Sequence, residues 1–249
     1  MKKTSFLYKS LLFLRAVIFV VLLTVIIIPY SVLCLIAFIF PLRVRYAMVS
    51  GWTDAMTWLL KTICGIHYHI EGLENIPKDR NGIILSKHQS TWETFLLPGL
   101  FHQAAIIIKK ELLWIPFFGW GLISIEPIAI NRNEKASAME QIFKKGAAYL
   151  KQGRWILIFP EGTRVSPGTV GNYRLGGARL AVRTGYPIIP VAHNAGRFWP
   201  KGHFIKKPGT VHVVIGPLIE TQGRTPQEVM TETKNWIETT MQRIDNTPS

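Results

Sequence analysis

Two short segments carry the side chains best suited to chemistry: HQSTWE at positions 88–93 and FPEGTR at positions 159–164. Imidazole titrates near neutral pH, so His88 can take a proton from an alcohol, and the carboxylate of Glu93 can stabilise the imidazolium that results. Arg164 follows a glycine-containing turn and offers a forked cationic donor that matches a phosphate. The two segments together predict a general base beside an anion-binding loop.

The spacing of His88 and Glu93 requires a break in the backbone. On one continuous helix, five residues at about 100° each would place the two side chains roughly 140° apart. Ser90 to Glu93 has the pattern of a capping box with Ser90 as N-cap, so we expect a helix to begin there and His88 to lie on the preceding loop. The alternative is purely structural: Glu93 only satisfies backbone donors, and His88 is a histidine at a strand end.

The FPEGTR segment ends a run typical of a buried strand and enters a glycine-containing loop. Gly162 lets backbone amides approach an oxyanion, although an ordinary turn with an exposed Arg164 is the alternative on a surface this positive. Lys109, in the KKEL segment, is a further candidate for holding a phosphate. The aromatic residues that follow suit either a membrane boundary or the core. They are Trp114, Phe117, Phe118 and Trp120.

From residue 66 onward, β-rich apolar runs alternate with amphipathic helical patterns. The predicted strands cover residues 66–71, 82–87, 105–109, 155–159, 188–193 and 211–215. The predicted helices cover residues 92–101, 135–152, 175–184 and 226 to about 244. This order predicts an α/β fold, a mostly buried mixed sheet flanked by helices. Both segments follow predicted strands, and ligands bind beyond the carboxyl ends of strands in open α/β sheets.

The N-terminal part is a predicted membrane anchor. Residues 16–42 carry no charge, and this run is well past the roughly 18 residues at which a membrane helix is the default interpretation. Pro29 leaves two alternatives, a single spanning helix or a helical hairpin in one leaflet, and basic residues on both sides favour the hairpin. The length of the run disfavours a third alternative, a cleaved signal sequence. The predicted units are an anchor at 1–45, a connecting amphipathic segment at 46–65 and an α/β domain at 66–249.

The composition and the absence of certain motifs limit the partners and cofactors that this chain could bind. The formal net charge of +14 over 249 residues indicates an anionic partner such as a phospholipid surface, a nucleic acid or an acidic carrier protein. Cys34 and Cys64 lack a C-x-x-C pattern, so we expect no disulfide framework or thiolate zinc site. His67 and His69 lack a third ligand, which favours a structural role. The sequence contains no P-loop, HExxH or GxSxG motif, which removes the commonest nucleotide, zinc and serine-hydrolase classes.

Four ordered blocks resemble those of the glycerophospholipid acyltransferase family. The matching positions are 88–93, 109–119, 159–164 and 186–190. His88 and Glu93 correspond to the family's H-x4-D, with one methylene added to the acid, and the F-P-E-G-T-R block is intact. The block K-x-[ES]-L-x-x-x-P-x-x-G is matched in full, and YPIIP resembles V-P-I-x-P. Asn131 stands where the family's I-D-R has an aspartate and has no assigned role.

The resemblance implies an enzyme that transfers an acyl chain from a thioester of acyl carrier protein or coenzyme A to the sn-2 hydroxyl of lysophosphatidate, forming phosphatidate. His88 would remove the hydroxyl proton, and Glu93 would orient His88. The resemblance implies a phosphate pocket formed by Arg164, Lys109, Glu161, Gly162 and Thr163. No metal or other cofactor is expected, because a thiol leaves readily without one.

The same resemblance implies a bacterial cytoplasmic membrane protein whose catalytic domain faces the cytoplasm. Its expected partners are a lysophospholipid, the thioester donor and an anionic membrane surface, and not a nucleic acid. Three alternatives stay open. The acceptor is another lysolipid or glycerol 3-phosphate, the acceptor is water, or the chain is a membrane-tethered anion-binding protein without catalysis.

Overall fold

A computed structural model describes residues 6–101 and 103–246 as a seven-stranded sheet with helices on both faces. The strands are β1 (Ile66–Glu71), β2 (Ile83–Ser86), β3 (Ala105–Lys109), β4 (Ile128–Ile130), β5 (Ile156–Ile158), β6 (Ile188–His193) and β7 (Gly209–Ile215). The α-helices are α1 (Phe6–Ile36), α2 (Leu42–Cys64), α3 (Trp92–Leu100), α4 (Phe118–Ser124), α5 (Lys135–Lys151), α6 (Gly176–Thr184) and α7 (Pro226–Asp245).

The strands lie in the order β1-β7-β6-β2-β5-β3-β4. Strands β6, β2, β5, β3 and β4 are mutually parallel, β1 is parallel to β7, and β7 is antiparallel to β6. The predicted mixed α/β sheet is therefore confirmed. Because β2 and β5 are parallel neighbours, the two segments that follow them leave the same edge of the sheet side by side.

Successive strand residues point into two different apolar layers. Ile84 of β2 packs with side chains of α2 and α3, whereas Ile83 and Leu85 pack with side chains of α5 and α6. All three are fully buried. A sheet covered on both faces needs apolar residues at every strand position, which is why these strands show continuous apolar runs in the sequence.

Of the two alternatives for the N-terminal run, a single helix or a hairpin broken near Pro29, the structure shows the single helix. Helix α1 continues through Pro29 without a break, and the chain turns only after it, at the 3-10 segment Ala37–Ile39. Pro29 removes one backbone hydrogen bond from the helix, and the packing of α1 on α2 and α4 offsets this loss. The predicted connecting segment is itself helical, because α2 begins at Leu42, inside the predicted anchor.

Two short elements, β4 and α4, have no counterpart in the sequence prediction. Strand β4 is only three residues long and lies between Pro127 and Asn131, too short to produce a recognisable alternation. Helix α4 follows Phe117, whose φ of 64° is rare for a residue with a side chain. A sequence pattern gives no signal for such a backbone angle.

Candidate active site

His88 and Glu93 lie against each other, as the sequence predicts. His88 is on the loop between β2 and α3, and its Nδ1 donates to Oε1 of Glu93 at 2.8 Å. Glu93 is fully buried in the first turn of α3 and also accepts hydrogen bonds from the backbone amides of Gln89 and Ser90. One carboxylate therefore supports both the helix start and the imidazole, the two roles that the sequence offered as alternatives.

The capping box is only half formed. Glu93 accepts the amide of Ser90, but Oγ of Ser90 accepts from the amide of Trp92 rather than from that of Glu93. Helix α3 begins at Trp92, with Thr91 in the N-cap position. The hydroxyl of Ser90 donates instead to the carbonyl of Trp199, which fixes the loop that carries His88.

The environment keeps Glu93 ionised. Burial alone would raise its pKa, but the hydrogen bonds from His88 and from the amide of Ser90 outweigh burial, and the net pKa is below the ordinary value. His193 is fully buried with its Nε2 4.0 Å from Oε1 of Glu93, and this nitrogen donates to the carbonyl of Lys87 at 2.8 Å. Burial lowers the pKa of His193, so this ring is neutral at pH 7. The sequence gave His193 no role, and the structure places it directly behind the pair.

The ring of His88 is held on a second side by stacking. It lies on Phe159 with ring centroids 4.0 Å apart and an interplanar angle of 16°. The side chain of His88 is 14% solvent-exposed, whereas that of Glu93 is fully buried. Because Nδ1 donates to Glu93, Nε2 carries the lone pair of the neutral ring. This arrangement can accept a proton from a hydroxyl that approaches Nε2.

The FPEGTR segment contacts the HQSTWE segment directly. The guanidinium of Arg164 donates to Oγ1 of Thr91 at 2.8 Å, and the amide of Val165 donates to the carbonyl of His88 at 2.8 Å. Glu161 is buried, and its Oε2 accepts the amide of His88 at 2.9 Å. The structure thus brings the predicted anion-binding arginine next to the predicted base. It also places Glu161 where it positions the His88 backbone.

Cationic side chains surround the turn at Gly162, whose φ is +70°. Arg132 donates to the carbonyl of Gly162 at 2.7 Å, and a Cβ on Gly162 would lie 3.0 Å from the guanidinium of Arg174. Lys201 donates to Oγ1 of Thr163 at 3.1 Å. Arg174 and Lys201 belong to no motif in the sequence, because only the fold brings them to this loop.

Lys109 forms its ion pair with the neighbouring Glu111. It ends β3, is exposed, and has its ammonium 3.3 Å from Oε1 of Glu111. The described side chains form no hydrogen bond between Lys109 and the FPEGTR loop. Asn131 accepts from the amide of Asn133 at 3.1 Å and donates to Glu134 at 2.5 Å. These hydrogen bonds stabilise the turn before α5 and give a structural role to Asn131, which had no assigned role from the sequence.

Lys87 is a buried charge that the sequence analysis did not single out. Its ammonium lies 2.8 Å from Oε1 of Glu161 and 2.8 Å from Oε1 of Glu238 on α7, and its side chain is 1% exposed. Tyr173 donates to the same oxygen of Glu238 at 2.6 Å. Burial raises the pKa of Glu161, and Lys87 partly offsets this. The only signal in the sequence is a lysine at the end of an apolar strand, next to His88.

The other potential ligands lie elsewhere. His69 on β1 neighbours His212 on β7, with ring centroids 6.1 Å apart. Across residues 6–101 and 103–246, no group of three or more His, Cys, Asp or Glu is placed to hold a metal ion. Cys34 and Cys64 are both free and buried.

Comparisons with known proteins agree with this geometry. A family model described as Acyltransferase matches residues 67–194. The 1-acyl-sn-glycerol-3-phosphate acyltransferase of Pseudomonas aeruginosa is 47% identical over 84% of this chain and 82% of that protein. The protein of the same name from Borreliella burgdorferi is 31% identical over 72% of this chain and 70% of its own length.

A solved structure is similar over nearly the whole chain. The crystal structure of the 1-acyl-sn-glycerophosphate (LPA) acyltransferase PlsC from Thermotoga maritima has a TM-score of 0.81 and 26% identity, covering 95% of this chain and 97% of that chain. On the extent of these matches, the chain belongs to the acyltransferase family.

Proposed function

We propose that this enzyme transfers an acyl chain from a thioester to the sn-2 hydroxyl of 1-acyl-glycerol 3-phosphate and forms phosphatidate. The observation that carries the proposal is the contact between the two segments: the hydrogen-bonded His88–Glu93 pair lies beside Arg164 at one edge of the sheet. The names of the relatives from two bacteria and of the solved homologue support the acceptor.

In this mechanism His88 acts as a general base. Its Nε2 takes the proton of the acceptor hydroxyl while the oxygen attacks the thioester carbonyl, and Glu93 stabilises the imidazolium that forms. The tetrahedral intermediate then collapses, the C–S bond breaks, and the departing sulfur receives the proton from His88. A thiol leaves readily, so this mechanism uses no metal, no other cofactor and no acyl-enzyme intermediate.

The phosphate of the acceptor would occupy the cationic surroundings of Gly162. Arg164 supplies a forked donor there, and Thr163 and the Gly162 turn supply further polar contacts. Arg132 and Lys201 already contact this turn and add positive charge. We keep Lys109 in the proposed phosphate site as a further cation, whose exposed side chain would have to leave Glu111.

We further propose that α1 lies along one leaflet of a bacterial cytoplasmic membrane, with the catalytic edge facing the cytoplasm. Residues Phe6–Ile39 form a helical stretch with a hydropathy of 3.1, long and apolar enough to cross a membrane. Phe13 packs on Phe204 in the N-terminal half of α1, Phe19 packs on Trp199 near its middle, and Tyr30 packs on Trp52 near its C-terminal end. A helix fastened to the domain along its length favours the in-plane arrangement over a span.

The outer face of α1 would be the lipid-facing surface. Its exposed apolar side chains include Phe6, Leu7, Phe13, Val21, Val25, Val32, Leu33 and Ile36. We expect Val25→Glu to weaken sedimentation with anionic vesicles. Leu73→Glu, at a similarly exposed residue beyond β1, should leave sedimentation unchanged. Equal sedimentation of both variants would contradict the proposed contact.

The activity test uses purified protein, labelled lysophosphatidate, and acyl carrier protein or coenzyme A thioesters in turn, with the lipid products separated. Phosphatidate formed only when acceptor and donor are both present supports the proposal. A panel with other lysolipids and glycerol 3-phosphate tests the rival acceptors, and fatty acid released without an acceptor indicates a thioesterase. Failure to consume any thioester indicates a non-catalytic anion-binding protein.

A further inference from the structure

A large groove runs between α5 and α6 and reaches the catalytic edge. Its volume is about 1290 Å³. At one end it is lined by Phe159, Pro160 and Gly162 of the FPEGTR segment, and Phe159 is the ring on which His88 stacks. His88 itself does not line the groove. The groove therefore leads to the proposed reaction centre from the side of Phe159.

The lining combines an apolar floor with an excess of positive charge. Buried and half-buried apolar residues form the floor, among them Ile107, Ile130, Met139 and Leu180. The exposed cations are Arg132, Lys144, Lys151, Arg174, Arg179 and Arg183, and Glu140 is the one acidic residue among the lining residues. None of these six cations forms an ion pair with a described carboxylate. Such an uncompensated field attracts an anionic partner.

The groove lies on the face of the sheet opposite the proposed membrane contact. The side chains of α5 and α6 pack on Ile83 and Leu85, whereas Phe19 of α1 belongs to the layer on the other face, with Ile84. A partner in this groove would therefore approach from water. The apolar acceptor would reach the same edge from the lipid side.

We propose that the groove docks the acyl donor as a soluble acidic carrier protein, which presents the thioester on a pantetheine arm. This inference rests on the proposed function. The cations lie on both walls, from Lys144 and Lys151 on α5 to Arg179 and Arg183 on α6, a spread that matches the acidic surface of a protein. The apolar floor between the walls suits the acyl-pantetheine arm on its way to His88.

The test compares Arg179→Glu and the double variant Lys144→Glu/Arg179→Glu with wild type. Neither side chain forms a hydrogen bond or ion pair with a described residue, so the variants should fold normally. Lys78→Glu is the matched control, because Lys78 is exposed between β1 and β2, near the opposite edge of the sheet. Each variant is assayed with three donors: acyl carrier protein, coenzyme A and pantetheine thioesters of the same acyl chain.

We expect Arg179→Glu to raise the KM for the carrier-protein thioester at least tenfold, and the double variant to raise it further, with a weaker salt dependence than wild type. The pantetheine thioester should react equally with all variants, and the coenzyme A thioester should change less than threefold. An equal loss with coenzyme A would overturn the carrier protein as occupant. Wild-type kinetics in the double variant would overturn the docking site itself.

Direct binding of holo carrier protein, measured by fluorescence anisotropy, separates this proposal from the proposed function. Wild-type binding that Arg179→Glu weakens supports docking even if no phosphatidate forms. Transfer from acyl-pantetheine to lysophosphatidate without any binding of carrier protein overturns docking and leaves the proposed function standing.

Discussion

The two segments at the proposed catalytic edge hold two of their charges, Glu93 and Arg164, in opposite ways. Glu93 is fully buried and receives several hydrogen bonds, whereas Arg164 is half-buried and its cationic neighbours Arg132 and Arg174 are exposed. A buried carboxylate with several donors is fixed in one geometry, but an exposed cation stays hydrated until an anion replaces water. The comparison indicates that Glu93 is suited to hold a proton acceptor in place and Arg164 to exchange a ligand. Substitutions in the first should lower kcat, and substitutions in the second should raise KM.

Among the substitutions that test this comparison, Glu93→Gln should have the largest effect. The amide keeps the size of the side chain but loses the charge that stabilises the imidazolium, so we expect kcat to fall by roughly 10²–10⁴. Glu93→Asp keeps the charge and should retain substantial activity. Steady-state kinetics measures both variants, with Glu74→Gln, at an exposed residue of a short 3-10 helix after β1, as the control. Equal activity of Glu93→Gln and Glu93→Asp would favour a role limited to the helix start.

Lys87 couples the two segments, so its removal should disturb both. Lys87→Met leaves Glu161 and Glu238 without their buried cation, which costs roughly 3–5 kcal/mol in the free energy of unfolding. Lys78→Met, at an exposed lysine, should change it by less than about 0.5 kcal/mol. Denaturant unfolding in detergent measures both variants. If they were equally stable, the buried ion cluster would have no part in holding the segments together.

Features that depend on residues close together in the sequence could be predicted, whereas contacts between distant residues could not. The bounds of β1, β3 and β6 match the sequence prediction because each is a continuous apolar or alternating run. The contact of His88 with Glu93 was predictable because a helix start lies between them. Lys87 was not, because its partners on the FPEGTR loop and α7 are far along the chain.

The N-terminal helix gave a misleading signal of a different kind. The break predicted at Pro29 does not occur, since packing of α1 on its neighbours outweighs the local preference of one proline. Arg174 and Lys201 reach Gly162 and Thr163 only through the fold. The positive charge around the proposed phosphate site was therefore underestimated from the sequence.

Arg164→Ala tests the role of the second segment in binding the substrate. Loss of a charge-assisted contact to the substrate phosphate corresponds to about 1.5–3 kcal/mol, or roughly a ten- to hundredfold rise in KM for lysophosphatidate. We expect kcat to change little. Arg224→Ala serves as the control. Arg224 lies just before α7 and forms an ion pair with Glu232 on that helix. A fall in kcat with unchanged KM would place the phosphate elsewhere.

The smallest expected effect concerns His193 behind the first segment. Burial lowers the pKa of His193, so the unfolded chain takes up a proton near pH 6.5 while the folded protein does not. The stability that this group contributes is complete above about pH 6.5 and is lost as the pH falls toward the lowered folded pKa.

We therefore expect the unfolding free energy of wild type to decline more steeply between pH 7 and pH 5 than that of His193→Gln. The difference should be at most about 1.4 kcal/mol per pH unit. The raised pKa of Glu161 affects both proteins alike, and the lowered pKa of Glu93 acts at more acidic pH. Parallel pH profiles would show that His193 is not held neutral by the fold.

The central claim is that one imidazole beside the anion-binding loop carries the proton transfer. The most direct measurement is the turnover of His88→Ala with lysophosphatidate and an acyl thioester, beside His67→Ala, an exposed histidine on β1. The account predicts that kcat falls by at least roughly 10²–10⁴ for His88→Ala and is unchanged for His67→Ala. Wild-type turnover in a folded, membrane-bound His88→Ala enzyme would contradict it.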